Sequence, residues 1–122
     1  MSDRVTLTVT QGQLKGQEYV FGDRTWCLIG RASDCLLQLP NDLAHGDVSR
    51  HHCLLNINPP EVRVRDFGSR NGTYVNGTKI GQRAPRQAPE EAALTELPEV
   101  VLHNGDEIRL GTTVLRVSIP GL

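Results

Sequence analysis

Apolar and polar residues alternate in short stretches along most of this chain. Residues 5–9 alternate valine or leucine with threonine, residues 62–65 alternate valine with arginine, and residues 115–119 show the same pattern. Successive side chains of a β-strand point to opposite faces of its sheet, so a period of two predicts strands with one buried and one solvated face. Because no segment has a sustained helical period, the pattern predicts an all-β protein.

Turn residues separate these stretches at the spacing expected of a two-layered β fold. Glycine, asparagine, aspartate and proline recur at Gly22-Asp23, Asn58-Pro59-Pro60, Gly68, Asn71-Gly72, Asn76-Gly77 and Asn104-Gly105-Asp106. The two Asn-Gly pairs predict tight hairpin turns, because both residue types tolerate positive φ. We therefore predict an antiparallel β-sandwich.

The segment 82–98 interrupts this spacing. It contains Pro85, Pro89 and Pro98, and residues 90–94 are compatible with one or two helical turns after Pro89. At seventeen residues it is longer than most connections within a compact domain. We predict that it is an insertion loop on the solvated surface.

The composition indicates one domain, spanning residues 1–122, with a single core. Thirteen Lys and Arg residues against fourteen Asp and Glu give a net charge of -1, and only 4% of the residues are aromatic, which leaves little material for stacking on bases. No apolar run approaches the ~18 residues of a membrane span, and the first ten residues lack the features of a secretory signal. These observations predict a cytoplasmic protein whose partner is neither nucleic acid nor a membrane.

Three cysteines, Cys27, Cys35 and Cys53, lie among apolar residues. An odd number of cysteines without a C-x-x-C pair is atypical of a disulfide framework. We predict buried, reduced thiols, which agrees with a cytoplasmic location.

Three polar clusters stand where predicted strands begin or end. They are Gly30-Arg31, Ser49-Arg50-His51-His52 and the run 66–77. The loops at one end of a sandwich gather together, so residues that are distant in sequence can converge there on a rigid base.

Convergence of these clusters would bring together three guanidinium groups, two hydroxyls and an amide. They belong to Arg31, Arg50, Arg70, Ser49, Ser69 and Asn71. A phosphate monoester carries about -1.5 to -2 charges and three acceptor oxygens, which bidentate guanidinium groups and hydroxyl donors match well. The clusters therefore predict a site for an oxyanion such as phosphate.

Two chemical alternatives fit the sequence less well. His45, His51, His52 and Cys53 are zinc-ligand types, but the last three are consecutive on a predicted strand and cannot all face one ion. A hydrolase built on Ser49 and His52 lacks an evident acid to orient the histidine and lacks a G-x-S-x-G elbow. We predict no metal, no cofactor and no catalysis.

Four separated motifs, in this order and spacing, resemble a forkhead-associated (FHA) domain. They are Gly30-Arg31, Ser49-Arg50-x-His52, the run 68–77, and Leu102-x-x-Gly105-Asp106 followed by Ile108, Leu110 and Gly111. The likeness covers about residues 19–117. It implies a β-sandwich of the FHA/SMAD-like type whose end loops bind phosphothreonine in an extended segment of a partner protein, without catalysis.

The resemblance also implies roles for single residues. Arg31 and Ser49 match positions that bind the phosphate, and Arg50 matches one that often adds a contact to phosphate or peptide. Asn71 matches the asparagine that anchors the peptide backbone. Loop-bracing roles fall to Gly30, His52, Ser69 and Asn76. Arg70 stands where threonine is common in the family, which removes a hydroxyl ligand and adds a longer cation.

The loop 40–48 is longer than is usual in the family and would lie beside the peptide residues that follow the phosphothreonine. It carries Asp42 and Asp47. Because like charges repel, we predict that acidic residues are disfavoured at those peptide positions.

The implied partner is a protein or peptide that carries phosphothreonine, in a separate molecule or in the same polypeptide, within a Ser/Thr kinase pathway. The chain ends directly after a predicted strand, which suits a domain excised from a larger signalling protein. The alternative is an interaction scaffold that binds without phosphorylation, through a sheet face or the 82–98 loop. Binding to an unphosphorylated partner would distinguish the two.

Overall fold

The computed structural model describes residues 4–84, 86–88 and 98–120, which form two β-sheets packed on a common core. The first sheet has six strands, each antiparallel to its neighbours. In spatial order they are β2 (Glu18–Phe21), β1 (Val5–Gln11), β11 (Thr113–Ser118), β10 (Glu107–Leu110), β7 (Thr73–Val75) and β8 (Thr78–Gly81).

The second sheet has five strands. In spatial order they are β4 (Leu37–Gln38), β3 (Thr25–Gly30), β5 (Cys53–Asn58), β6 (Glu61–Asp66) and β9 (Val100–Leu102). The predicted all-β sandwich is confirmed, with one difference, since β3 and β4 are parallel. The chain doubles back after Gly30, and this short pairing brings Leu37 and Leu39 into the core, where both are buried.

The alternation along the sequence places one face of each long strand in the core. Val5, Leu7 and Val9 of β1 are buried, whereas the threonines between them are half-buried. The same holds for Val62 and Val64 of β6. Each fully buried aliphatic side chain stabilises the fold by about 1.5–3 kcal/mol. The core therefore supplies the rigid base on which the loops at the strand ends are held.

The three cysteines are buried and free, as predicted. Burial raises the pKa of the Cys27 thiol to about 12. Cys27 therefore stays protonated and packs as a small apolar side chain.

Among the described residues the helical structure is a 3-10 turn at Leu43–His45, and no helix there is long and apolar enough to cross a membrane. Asp42 caps this turn by accepting a hydrogen bond from the backbone N–H of His45 at 3.1 Å. Residues 82–84 and 86–88, at the start of the predicted insertion, form no strand or helix. The helical turns predicted at 90–94 lie outside the described residues.

Gly30 ends β3 where its backbone touches the chain at residues 49–50. A Cβ atom on Gly30 would lie 2.0 Å from the carbonyl oxygen of Arg50. The N–H groups of Arg31 and Ala32 donate to the carbonyl oxygens of Ser49 and Arg50, at 3.2 and 3.0 Å. The first two polar clusters are thus joined through backbone alone.

Candidate functional site

A cleft of about 430 Å³ opens where the loop after β3, the loop before β5 and the loop between β6 and β7 meet. The lining residues are Arg31, Gly46, Val48, Ser49, Arg50, His51, Phe67, Gly68, Arg70, Asn71 and Arg83. We call it the phosphate cleft, after the ligand that the sequence predicts for it. The structure brings together here all five residues assigned from the sequence to phosphopeptide binding, which are Arg31, Ser49, Arg50, Arg70 and Asn71, and adds Arg83.

Arg31 follows directly on β3, and its side chain is anchored at the wall of the phosphate cleft. Its Nε donates to the carbonyl oxygen of Val48, and its Nη1 donates to Oδ1 of Asn41. A guanidinium group has five N–H donors, so these two contacts fix its plane and leave others for a ligand. Asn41 was missed from the sequence because this contact depends on the path of a loop.

Ser49 rests on the buried ring of His52. The backbone N–H of Ser49 donates to Nδ1 of His52 at 3.0 Å, and Nε2 of His52 donates to the carbonyl oxygen of Gly72 at 2.8 Å. A ring that accepts at one nitrogen and donates at the other is a neutral imidazole. Burial lowers the pKa of His52, against the opposing influence of the Gly72 carbonyl and Asp66. His52 therefore joins the second loop to the third without carrying charge.

Asp66, which begins the third polar cluster but was given no role from the sequence, organises the third loop. Its side chain is fully buried, and its Oδ2 accepts from the N–H groups of Gly68 and Ser69 at 2.9 and 2.8 Å. Its Oδ1 accepts from the hydroxyls of Ser69 and Thr73, the latter at 2.6 Å. Four hydrogen bonds compensate for the burial of the carboxylate and hold the loop in one conformation. The alternation along β6 could have indicated its burial, because Asp66 falls on the same face of the strand as Val62 and Val64.

The third loop is bonded directly to the second. The N–H of Arg70 donates to Oγ of Ser49 at 2.9 Å. The side-chain Nδ2 of Asn71 donates to the carbonyl oxygen of Asp47 at 3.1 Å. These contacts join opposite walls of the phosphate cleft, so its shape is defined before a ligand enters.

The residues assigned to loop bracing lie in two places. Gly30, His52 and Ser69 are buried beneath the phosphate cleft. Asn76 does not line the cleft and stands in the turn between β7 and β8. Its Oδ1 accepts from the N–H of Glu107 at 2.9 Å, and its Nδ2 donates to Oδ1 of Asp106 at 3.0 Å. Asn76 therefore braces this turn against β10.

Asp34, Cys35 and His51 lie beside the phosphate cleft, with ligand-type atoms within 4.8 Å of one another. Nε2 of His51 lies 2.8 Å from Oδ1 of Asp34, and this hydrogen bond lowers the pKa of that exposed carboxyl. Sγ of Cys35 donates to the carbonyl oxygen of Arg50 at 3.2 Å, and burial raises the pKa of its thiol. Cys35 would have to lose its thiol proton to hold a metal ion. The absence of a metal stays a prediction.

The Ser49 and His52 side chains are not arranged as a nucleophile and its base. Nδ1 of His52 is occupied by the backbone N–H of Ser49, and Nε2 is occupied by the carbonyl oxygen of Gly72. The Ser49 hydroxyl contacts the N–H of Arg70 instead. The geometry suits binding of an anion better than nucleophilic attack.

A sandwich that presents an arginine-lined cleft on loops braced from its core defines a binding module. The family model described as "FHA domain" matches residues 27–95, more than half of the chain. The chain belongs to the FHA domain family, and the resemblance inferred from its motifs is confirmed. FHA domains are interaction modules.

Similar proteins agree with this assignment. FhaB, an FHA domain-containing protein of Mycolicibacterium smegmatis, is 40% identical over 74 residues, which are 61% of this chain and 44% of FhaB. The chain thus matches less than half the length of this curated relative. A structure solved in a study of phosphothreonine-dependent FHA domain interactions matches with a TM-score of 0.71 and 28% identity, over 98% of this chain and 99% of that one. The FHA domain of FhaA, solved in complex with the intracellular domain of Rv3910, matches with a TM-score of 0.67 and 27% identity, over 93% of this chain and 98% of that one.

Proposed function

We propose that this domain binds phosphothreonine in a segment of a partner protein and so makes a protein contact depend on phosphorylation. The observation that carries the proposal is the convergence of four arginines and the Ser49 hydroxyl on one cleft. Guanidinium groups match the charge and the oxygen geometry of a phosphate monoester. Phosphothreonine-dependent interactions were studied for an FHA domain 28% identical to this chain, which supports a phosphothreonine ligand here.

The hydrogen bonding of Ser49 prepares its hydroxyl to donate to phosphate. Its Oγ already accepts from the N–H of Arg70 at 2.9 Å. A hydroxyl has one hydrogen and two lone pairs, so this contact leaves the hydrogen free to turn towards an oxygen in the cleft. In the proposed complex, Ser49 and the guanidinium group of Arg31 donate to oxygens of the same phosphate, with Arg50 and Arg70 at the cleft wall.

The side chain of Asn71 is placed to hold the peptide beside the phosphothreonine. Its Nδ2 is directed to the carbonyl oxygen of Asp47, which turns Oδ1 the other way. A carboxamide oxygen accepts well from a backbone N–H. We assign Asn71 to the peptide backbone and the arginines to the phosphate.

The proposal includes the kinase that phosphorylates the partner, the cellular compartment and the larger protein to which the domain belongs. The partner would be phosphorylated by a Ser/Thr kinase, in a separate molecule or in the same polypeptide, and the domain would bind it without turnover. Three free, buried thiols support a reducing compartment such as the cytoplasm. Because the match covers only 44% of FhaB, we propose that residues 1–122 act as one recognition domain within a larger signalling protein.

The test is calorimetric titration with a degenerate peptide pool in three matched forms, which carry phosphothreonine, phosphoserine or plain threonine. We expect heat from the phosphothreonine form, less from phosphoserine because it lacks the methyl group of threonine and the apolar contact that this group would make, and none from threonine. Equal binding of all three forms would refute the proposal. Silence from all three would make a phosphorylation-independent scaffold the leading explanation.

One observation favours that second candidate, docking on the outer face of the five-stranded sheet. Trp26 is 55% exposed and Val101 is 44% exposed. Strand register places Trp26, Asn56, Arg63 and Val101 in one row across β3, β5, β6 and β9. Tryptophan is enriched at protein interfaces. This candidate predicts that Trp26→Ala weakens the binding of an unphosphorylated partner, whereas Arg31→Ala leaves it unchanged.

A further inference from the structure

A second cleft, also lined by arginine, adjoins the phosphate cleft. It encloses about 470 Å³, and its lining residues are Arg70, Gln82, Arg83, Ala84, Arg86 and Gln87. We call it the flanking cleft. Arg70 and Arg83 line both clefts, so the two share a wall. One extended ligand can therefore occupy both.

The flanking cleft is bonded to the third binding loop. Nε2 of Gln82 donates to the carbonyl oxygen of Arg70 at 2.7 Å. The N–H of Arg83 donates to the carbonyl oxygen of Ser69, also at 2.7 Å. Since Ser69 and Arg70 belong to the loop that Asp66 holds rigid, the flanking cleft keeps a fixed position relative to the phosphate cleft.

A local turn closes the far side of the flanking cleft. The N–H of Gln87 donates to the carbonyl oxygen of Ala84 at 3.1 Å, and the N–H of Ala84 donates to Oε1 of Gln87 at 3.2 Å. This turn carries Arg86, whose φ is 67°. The turn adds a third arginine to the lining that Arg70 and Arg83 provide.

The charges in the flanking cleft are unbalanced. Among the residues that the structure describes, its lining contains three arginines and no carboxylate. Arg63, by contrast, has its Nε 2.8 Å from a carboxylate oxygen of Glu61. Within residues 4–84, 86–88 and 98–120, the side chains of Arg70, Arg83 and Arg86 form no ion pair with a carboxylate. Guanidinium groups gathered without a counter-charge favour a bound anion, and their fork geometry fits phosphate.

The carboxylate of Asp47 lies outside the flanking cleft. Asp47 lines a separate small pocket with Tyr74 and Arg109, and this pocket meets the phosphate cleft at Asn71. A peptide that crosses the phosphate cleft therefore meets three arginines in one direction, and in the other a pocket where the carboxylate of Asp47 accompanies Arg109. A second phosphate on the peptide is therefore favoured on the side of the flanking cleft.

We propose that the flanking cleft binds a second phosphate on the same peptide, so that doubly phosphorylated segments are the preferred ligands of this domain. The inference rests on the proposed function, because the first phosphate anchors the peptide that delivers the second. Arg70, which replaces a threonine common in the family, then serves as the shared wall between two phosphates. Arg86 serves the second phosphate alone.

The test compares peptides that carry phosphothreonine alone with peptides that carry an added phosphoserine, scanned over about five positions on either side, a reach of ~16 Å in extended chain. A third set carries glutamate in place of the phosphoserine. At the best position, on one side of the phosphothreonine, we expect the second phosphate to tighten binding about tenfold at low salt, and glutamate to give less, because it has half the charge.

The diagnostic variant is Arg86→Gln, which removes the positive charge. It adds no new backbone strain, because glutamine and arginine have a similar cost at the positive φ of this position. It should abolish the gain from the second phosphate and leave the affinity for the singly phosphorylated peptide unchanged. The matched control is Arg116→Gln, at the exposed position of β11 and outside both clefts, which should keep the gain.

The outcomes separate this inference from the proposed function. Tight binding of the singly phosphorylated peptide with no gain at any position would overturn the flanking cleft alone. An equal loss of the gain in Arg86→Gln and Arg116→Gln would also overturn it, because general charge attraction would then explain the effect. Failure of every phosphothreonine peptide to bind would overturn both.

Discussion

The backbone N–H of Ser49 donates to the ring of His52 at 3.0 Å, and this bond links the floor of the phosphate cleft to the core of the sandwich. The bond exists only while Nδ1 of His52 is unprotonated, because an imidazolium has no acceptor. The shape of the second binding loop is therefore connected to the charge of a buried histidine.

We expect the fold to lose stability as the pH falls below about 6.5, and His52 to cause part of the loss. Burial lowers the pKa of His52 below its ordinary value of 6.5. The unfolded chain therefore takes up the proton first, which favours unfolding as the pH falls from 6.5 towards the folded pKa. Urea denaturation at pH 7 and pH 5 should show a smaller loss in His52→Gln than in the unchanged protein.

The control for this prediction is His103→Gln, on an exposed loop. Between pH 7 and pH 5, this variant should lose as much free energy of unfolding as the unchanged protein does. An equal loss in His52→Gln and His103→Gln would contradict the assignment. If His52→Gln does not fold, titration of the His52 ring by NMR provides the answer, since its pKa should lie below 6.5.

Arg31→Ala should weaken phosphothreonine peptide binding at least about tenfold, because a hydrogen bond to a charged group contributes roughly 1.5–3 kcal/mol. The fold should remain intact, since Arg31 is not part of the core cluster. Calorimetry measures the affinity, and circular dichroism checks the fold. Arg116→Ala, on the surface of β11, is the matched control. Native dichroism with unchanged affinity would show that Arg31 does not bind the phosphate.

Asp66→Asn should destabilise the domain by about 2 kcal/mol or more, because an amide nitrogen cannot accept the hydrogen bonds that the carboxylate receives. Four donors from Gly68, Ser69 and Thr73 converge on this side chain. Urea denaturation measures the change, and peptide affinity should fall with it. Glu61→Gln, which alters only an exposed ion pair, should change stability by less than about 1 kcal/mol. Similar stabilities of the two variants would argue against Asp66 as the centre of the loop.

Gly30→Ala should cost about 3 kcal/mol or prevent folding, because its methyl group has no room. The new Cβ would lie 2.0 Å from the carbonyl oxygen of Arg50, a backbone atom that cannot rotate away. Gly22→Ala is the control, since the nearest heavy atom to its Cβ is 3.8 Å away in the Arg4 side chain. Thermal unfolding of the two variants measures the difference. Near-equal melting temperatures would mean that the close approach at Gly30 is not required.

Asp42 and Asp47 should disfavour acidic residues after the phosphothreonine. Both carboxylates are on the exposed loop beside the phosphate cleft, and the hydrogen bond from His45 lowers the pKa of Asp42, which keeps it charged. A peptide array that varies the following positions should show depletion of Asp and Glu, and Asp47→Asn should reduce that depletion. Strong selection for Asp or Glu at these positions would refute the prediction.

The strands were predictable because burial has a period that the sequence displays. The buried side of β1 and β6 follows directly from alternation, and so do the positions at which polar clusters leave the strands. The five residues assigned to the ligand also line one cleft, since loops at one end of a sandwich must converge. The role of Asp66 and the presence of Arg83 in the cleft were not predicted, because both depend on partners in the folded loop.

The two Asn-Gly pairs show where local sequence stops being informative. Asn76 and Gly77 both have positive φ, at 49° and 84°, as the predicted hairpin turn requires. At the other pair only Gly72 has positive φ, at 94°, so the prediction for Asn71 was wrong. The reason is a contact across the fold, since the amide of Asn71 is held by the carbonyl oxygen of Asp47, 24 residues earlier.

The bonds that join the second and third loops determine which molecule loses entropy on binding. Because Ser49, Arg70 and Asn71 are already held by one another's loops, the domain has little conformational freedom left to lose there. The ordering cost then falls on the flexible peptide, at about 0.5–1.5 kcal/mol for each side chain that it immobilises. Partners with the same contacts would therefore differ in affinity according to how extended each segment already is before it meets the domain.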